Sequence, residues 1–446
     1  MIQEGTYQFL GFFDGLAILM WLIILFAIVS STYNKNKSKS YYKYYKTGFY
    51  VKIAAAVVFS IIYIYKYDGG DTAAYWDTAQ KFNNLFYIRP GKFFEEMFSA
   101  LPFSSRYYSF DMTTGVPPEW IYNEKEGLFT SKIFTLLTFL TFRSYFAMTF
   151  LCAYFSFKAS WKLFEMGIKY NAGSERNLAI GTLLLPSTAF WCTGISKDTI
   201  VYCCVIYGLD LLFCFFDKAI KKGLVFYVKL FFIYFLLSNI RDFMLLTAIA
   251  PFIFALGIKY SNRSGISNFT KIFTQSILIL LILVGISIFF NSSKAVEITQ
   301  EAQVIQSDLK NNSEYGGAKY DLGITDFTPF GMLKAMPISI FTAFYRPFIW
   351  EAGSLFILIS AIETFVLLVL TLNLIIRSGF ILFIQKIRAN EFLMMAVVFC
   401  LILGFFAGYT SGLFGVLVRF KAPVLPFLYI LLTMNFKKTK LNQDVI

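Results

Sequence analysis

Repeated apolar runs, each close to the length that crosses a bilayer, limit what this chain can fold into more than any other feature. A hydrocarbon core of about 30 Å takes roughly 20 residues of helix. Runs near that length recur at 9–31, 50–66, 133–157, 177–193, 198–216, 224–239, 243–259, 270–290, 354–376, 391–408 and 413–434. Lipid offers the backbone no hydrogen bonds, so such runs are read as helices that satisfy their own amides. The expected architecture is an all-α polytopic membrane protein of about eleven spans, in a single integral membrane domain over 1–446. A chain of 446 residues that is 57% hydrophobic and 15% charged excludes a soluble enzyme, a secreted disulfide scaffold and a disordered tail.

Charge sets the expected orientation. A formal net charge of +13 would suit nucleic acid on a soluble protein. Here the basic residues lie in short connections between apolar runs, so no nucleic-acid partner is expected. Segments 33–52, 158–176, 217–223, 258–271, 377–391 and 435–446 hold 22 Lys and Arg against 5 Asp and Glu, which predicts the cytoplasmic side. The longer loops 66–132 and 292–353 hold 12 basic and 16 acidic residues and are expected outside. The N-terminus is expected outside, ahead of an anchor rather than a cleaved signal, and the C-terminus inside.

Six cysteines, Cys152, Cys192, Cys203, Cys204, Cys214 and Cys400, fall within or at the ends of apolar runs without metal-ligand spacing. They read as small core hydrophobes. Histidine is absent, so acid–base work falls to carboxylates, Lys, Arg and Tyr. No metal site and no cofactor is expected.

Both outer loops exceed the roughly 2 to 8 residues that connect neighbouring helices, and long loops on one face tend to carry function. In the first, Pro90 to Leu101 sets Phe93, Phe94, Met97, Phe98 and Leu101 at helical spacing with Glu95 and Glu96 opposite, as an interfacial helix would. The second opens with a weaker amphipathic stripe from Ser293 to Leu309.

Charged residues near span ends are the informative ones, because each costs about 2.5 to 3.5 kcal/mol at a helix centre. After the second run, Gly69 and Gly70 allow a sharp turn that would hold Asp71 at the membrane surface with Tyr75 one helical turn on. Asp71 could take a proton from a sugar hydroxyl there, or could simply cap an outer helix. Between the fourth and fifth runs, Trp191, Lys197 and Asp198 belong to a tight outer turn, where Lys197 could neutralise a phosphate or serve as an interfacial cap. Arg241, in another outer turn, could pair with Asp242 or point inward. Arg346, Trp350 and Glu351 join a planar cation, an aromatic face and a carboxylate. Arg346 suits bidentate phosphate contact and Trp350 suits stacking on a sugar. Arg419 and Lys421 lie within the last apolar run beside Pro423 and Pro426. The expected set, Asp71, Lys197, Arg241, Arg346, Arg419 and Lys421 on one membrane face, is able to hold an anionic lipid-anchored substrate and absorb the charge of a departing pyrophosphate. A salt-bridged structural network is the alternative.

The segments Gly69–Thr72, Pro186–Asp198, Arg346–Glu351 and Arg419–Pro426 look like those of a family of bacterial membrane proteins: the chain resembles the Wzy- or EpsG-like polysaccharide polymerases over most of its length. It also has a partial likeness to the GT-C glycosyltransferases, whose first outer loop carries an acid, a Tyr about four positions on and an interfacial helix. Asp71, Tyr75 and the stretch from Pro90 occupy those places, although the loop follows the second run rather than the first and Thr72 stands beside the acid.

The resemblance implies a glycosyltransferase of the bacterial inner membrane that joins polyprenyl-pyrophosphate-linked saccharides, with membrane lipid and other polysaccharide assembly proteins as partners. In that expectation Asp71 and Glu351 are catalytic, and Tyr75, Trp191, Lys197, Asp198, Arg241, Arg346, Trp350, Arg419 and Lys421 bind substrate. Three other functions stay open: transfer of a single sugar from a polyprenyl phosphate, transport of a lipid-linked saccharide, and a non-catalytic subunit of an envelope complex. A transporter should carry charges deep in several spans.

Overall fold

The computed structural model describes residues 9–99, 109–217, 219–241, 243–261, 318–324 and 326–434, with isolated positions between 267 and 307. Those residues are helical, apart from loops and one isolated antiparallel bridge from Lys319 to Leu413. Five helices among them are long and apolar enough to cross a membrane: Phe13–Asn36, Ser40–Lys66, Lys197–Phe216, Leu355–Arg377 and Glu391–Thr410. Two bent pairs raise the number to seven if each is one span. The eleven expected runs are not all single long helices: some are broken, Leu224–Ile240 and Thr247–Gly257 are shorter apolar helices, and the run 270–290 lies outside the described residues except at Phe273. The chain divides into two compact units, Met1–Leu163 with Thr188–Leu246, and Phe164–Ser187 with Thr247–Ile446.

In the first unit, α1 (Phe12–Asn36) and α2 (Tyr45–Lys66) precede a sharp turn into α3 (Gly70–Ile88). Gly69 and Gly70 take left-handed φ angles of 88° and 49° there, which glycine adopts without a Cβ clash. Next come α4 (Pro90–Phe98), α5 (Glu119–Asn123) and α6 (Lys125–Leu140). Ala74, Tyr75 and Trp76 of α3 pack with Ile121 and Phe134, and Phe82 and Leu85 pack with Phe93 and Leu128. The described part of the first long loop is therefore packed helix rather than open connection.

Helix α4 forms where the interfacial pattern expects one, and Phe94 and Phe98 stay exposed while Phe93 turns inward. Glu96 departs from the expected polar face. It is buried and accepts hydrogen bonds from Ser109 Oγ (3.0 Å) and Tyr122 OH (3.1 Å), which replace its lost water. Leu101 lies outside the described residues.

The expected span 133–157 is not one helix. Helix α6 ends at Leu140, Phe142 and Arg143 turn left-handed (φ 53° and 65°), and α7 (Tyr145–Lys169) leaves at 108°. The corner is tied to α3: Trp76 Nε1 donates to the Arg143 carbonyl (2.9 Å) and Arg143 Nη2 to Asn84 Oδ1 (2.8 Å). The unit also holds α10 (Lys197–Phe216) and α11 (Leu224–Ile240).

The expected span 177–193 is broken as well. A short α8 (Glu175–Ala179) passes into a π-helical turn, Ile180–Leu184, and restarts as α9 (Pro186–Trp191). Pro186 has no amide to continue the ladder, and its ring favours extended backbone at Leu185. In the second unit, α12 (Phe243–Ser261, in this unit from Thr247) is followed among the described residues by α13 (Pro329–Tyr345), α14 (Leu355–Ala389, kinked at Gly379, φ 69°), α15 (Glu391–Thr410), α16 (Phe414–Lys421) and α17 (Leu425–Leu432).

Helix α13 falls inside the expected outer loop 292–353. It packs on α15, where Gly404 and Gly408 allow close approach. A Cβ on Gly404 would come within 2.6 Å of the Phe344 ring, the device by which small residues join membrane helices. The last expected span, 413–434, bends by 69° between α16 and α17. The amphipathic stripe 293–309 lies outside the described residues except at isolated positions.

Candidate functional site

In the second unit, polar side chains gather where α13, α14 and α16 meet. Arg346 caps the C-terminus of α13, and its guanidinium pairs with Glu351, with Nε 3.0 and 3.2 Å from the two carboxylate oxygens. Glu351 also accepts the Phe348 amide at 2.8 Å, closing a small loop on itself. The guanidinium lies 4.9 Å from the Tyr320 ring centre and 5.3 Å from that of Phe414. Tyr320 is brought there by backbone pairing: its amide donates to the Gly412 carbonyl (3.0 Å), and the Phe414 amide to that of Ala318 (3.2 Å). Burial pushes the Tyr320 phenol above its ordinary range although Arg346 pulls the other way, so it stays neutral and able to donate at physiological pH.

Trp350 immediately precedes Glu351 in the short turn Ile349–Glu351. It stacks on Phe348 with ring centres 4.8 Å apart and is 81% exposed, so the indole face away from Phe348 is open. The loop is anchored underneath by Thr364 Oγ1 donating to the Pro347 carbonyl (2.8 Å).

Lys421, 0% exposed at the end of α16, donates to the Arg346 carbonyl at 2.6 Å. It also interacts electrostatically with Glu363, a buried acid within the membrane-length part of α14. Glu363 in turn accepts from the hydroxyl of Ser187 and from its amide at 3.4 Å. Arg419 is half-buried two residues before Lys421. Of the sequence candidates, Arg346, Trp350, Glu351 and Lys421 are thus brought together.

The first unit holds a separate set. Lys197, the first residue of α10, is buried and pairs with Glu124 and with Glu126, the latter at 3.4 Å. Arg241 Nη2 lies 3.0 Å from Asp198 Oδ1, both side chains buried. Arg241 therefore points inward to α10, and Asp242 lies outside the described residues. The loop before α10 does not emerge as the expected tight outer turn: a Cβ on Gly194 would overlap the Phe59 ring, seven residues inside the end of α2, or about 10 Å along its axis. Lys52 of α2, expected on the cytoplasmic side, is 1% exposed and donates to the Thr188 carbonyl (3.1 Å) and Thr193 Oγ1 (3.3 Å). Trp191 is half-buried, edge-on to Phe190 at 4.9 Å.

Asp71 is half-buried in the first turn of α3, whose N-cap is Gly69 with no side-chain capping bond. It lies within electrostatic reach of the Tyr145 phenol, which is 3.4 Å from Thr72 Oγ1. Tyr75 is buried in the packed cluster of α3, so it supports that site through packing rather than through an open face.

Sequence reasoning missed Glu363, Ser187, Lys52, Tyr320 and the pair Glu124 and Glu126. Glu363 was findable, being an acid inside the run 354–376. Tyr320 was not, because its place depends on pairing across 92 residues with Gly412. No protein-family model, curated protein or solved structure matches this chain.

Proposed function

We propose that this chain is a glycosyltransferase of the outer face of the bacterial inner membrane, with about eleven passages, that joins polyprenyl-pyrophosphate-linked saccharides during surface polysaccharide assembly. The observation that carries this is the open indole of Trp350 beside the Arg346–Glu351 pair. An open aromatic face suits the apolar side of a sugar, and a guanidinium fork suits a phosphate.

In the reaction, an acceptor hydroxyl attacks the anomeric carbon of the donor. The bond from that carbon to the pyrophosphate oxygen breaks, and the lipid pyrophosphate leaves with the electron pair. The hydroxyl proton passes to a carboxylate, and Glu351 of the second unit and Asp71 of the first are alternative candidates for that role. Arg346 and Arg419 are proposed to take the developing phosphate charge. Lys421, wholly buried, acts as a positioning residue through the Arg346 carbonyl.

Full-length protein in liposomes containing a polyprenyl-pyrophosphate-linked repeat unit should yield a ladder of longer lipid-linked products. Absence of any chain growth, together with surface polysaccharide of normal length after gene deletion, would remove this function.

A second reading rests on a different observation. Lys52, Glu363 and Lys421 are buried in or at the ends of helices counted as membrane-length or as half of a broken span. Ionisable groups at such places are expensive unless used, and a transporter for lipid-linked saccharide would use them. Flipping of a fluorescent lipid-linked saccharide by the same liposomes, without chain growth, would favour it.

A further inference from the structure

One end of the second unit brings four helix termini together, the C-terminal ends of α7, α12 and α14 and the start of α15. Asn390, between α14 and α15, is the clamp. Its Nδ2 donates to the Tyr170 carbonyl at 2.7 Å while its Oδ1 accepts from the amides of Phe392 (3.0 Å) and Leu393 (3.2 Å). Tyr170 stacks on Phe392 almost face to face, with ring centres 5.7 Å apart and planes 5° apart. These contacts fix the walls of a pocket of about 370 Å³ lined by Lys169, Asn171, Lys259 and Glu391 among others. That volume lies within the roughly 300 to 1,000 Å³ range of small-ligand sites.

The lining is biased toward anions. Lys169 Nζ lies 5.5 Å from the Tyr170 ring centre, a cation held across an aromatic face. Lys259 Nζ is 3.3 Å from Glu391 Oε1, so one carboxylate stands against two ammonium groups. Asn171, at a left-handed turn (φ 49°), adds an exposed amide. A lysine at a helix C-terminus complements that helix's own carbonyls. Here lysines from two different helices line one cavity, which that local role does not require. Helix α14, one wall of the pocket, carries exposed Ile376, Phe380 and Ile381 along its C-terminal half, a surface suited to acyl chains.

We infer that this pocket binds a phosphate group, presented by an anionic phospholipid headgroup or as the free ion, with Lys169 and Lys259 as its cations. The site is independent of the reaction proposed above. It also gives a physical use to Lys169 and Lys259, one from each of the basic segments 158–176 and 258–271 that the charge pattern expects on one side of the membrane.

The test is native mass spectrometry of the full-length protein in detergent, titrated with phosphatidylglycerol and, separately, with phosphatidylcholine. The wild type should retain phosphatidylglycerol preferentially, and Lys169→Gln should weaken that preference by about 5-fold, the worth of one lysine at an anionic lipid surface. Glu391→Gln removes the competing carboxylate and should strengthen it, a direction that a merely structural Lys259–Glu391 pair does not produce and one that remains readable if a lysine variant fails to fold. Competition by millimolar inorganic phosphate supports the site with phosphate alone as sufficient ligand. Lack of competition, with the lipid preference intact, supports it with the headgroup and its chains required. Equal retention of the two lipids, or a preference that neither substitution moves, overturns the inference.

Discussion

Lys421 donates its ammonium to the backbone carbonyl of Arg346 at 2.6 Å, and thereby ties the break between α16 and α17 to the end of α13. The same ammonium is the electrostatic partner of Glu363, whose carboxylate holds Ser187. This buried cation thus joins Thr364 in holding the loop that carries Arg346, Trp350 and Glu351. Lys421→Met removes the hydrogen bond to the Arg346 carbonyl and the electrostatic partner of Glu363, and should destabilise the second unit. Thermal unfolding in detergent should show that loss. Adding Glu363→Gln to Lys421→Met should recover part of it, because the amide needs no counter-charge. A double variant no more stable than Lys421→Met would mean that the two residues are not coupled.

Arg346→Ala and Arg419→Ala are expected to abolish chain growth in liposomes while the protein still inserts, each losing about 2 to 4 kcal/mol of transition-state stabilisation. Lys at position 346 should rescue only in part, since it cannot supply the planar fork that now engages Glu351. Trp350→Ala should weaken substrate affinity more than turnover, because its open face would contact the sugar rather than the reacting atoms. Full activity in both arginine variants would leave the proposed phosphate site without anchors.

Gly408 offers a test of the fold alone. A Cβ there would fall 2.0 Å from the Ser339 carbonyl oxygen, backbone that cannot swing aside. Gly408→Ala should force α13 and α15 apart and destabilise the second unit by about 1 to 3 kcal/mol, the usual cost of overpacking. Gly415→Ala, where nothing stands within 4 Å of the added carbon, is the matched control and should change little.

What could be read from the sequence was set by periodicity and run length. The helices Leu355–Arg377 and Glu391–Thr410 sit where long apolar runs without proline put them, because little competes with helix in such runs. The breaks were marked by residues that apolarity alone outweighs: Arg143 inside the run 133–157 stands at the 108° corner, and Pro186 inside 177–193 restarts α9. Around the candidate site, the segment 346–351 was legible because cation, aromatic and acid are adjacent in the chain. Its long-range partners, Tyr320 and Glu363, come from elsewhere, and loop charge counting gives no weight to a carboxylate inside a span.

The expected sidedness is testable with residues the structure exposes. Met112, 97% exposed in the first long loop, should react as Met112→Cys with an impermeant thiol reagent on intact cells. Ser38→Cys, in the Lys-rich connection after α1, should stay protected until the cells are opened. Both variants belong in a background with the half-buried Cys203 and Cys214 replaced by alanine. Labelling of position 38 from outside would invert the orientation and with it the outer-face site.

Asp71 poses the sharpest question about chemistry, since no histidine exists to take the proton. The N-cap of α3 is Gly69, and Asp71 sits in the first turn, within electrostatic reach of the Tyr145 phenol. Attraction of its carboxylate to the helix N-terminus is worth about 0.3 to 1 kcal/mol, so Asn in its place should fold and insert. Asp71→Asn keeps the size of the side chain but removes the basic oxygen. If Asp71 takes the acceptor proton, chain growth should fall by roughly 100-fold or more, with retention of lipid-linked donor unchanged. The same substitution at Asp77 serves as control, because its carboxylate is already held by Lys81 one turn along α3. Near-normal chain growth in Asp71→Asn would pass the role of base to Glu351, and Glu351→Gln read in the same assay would then show whether a carboxylate in the second unit carries the proton.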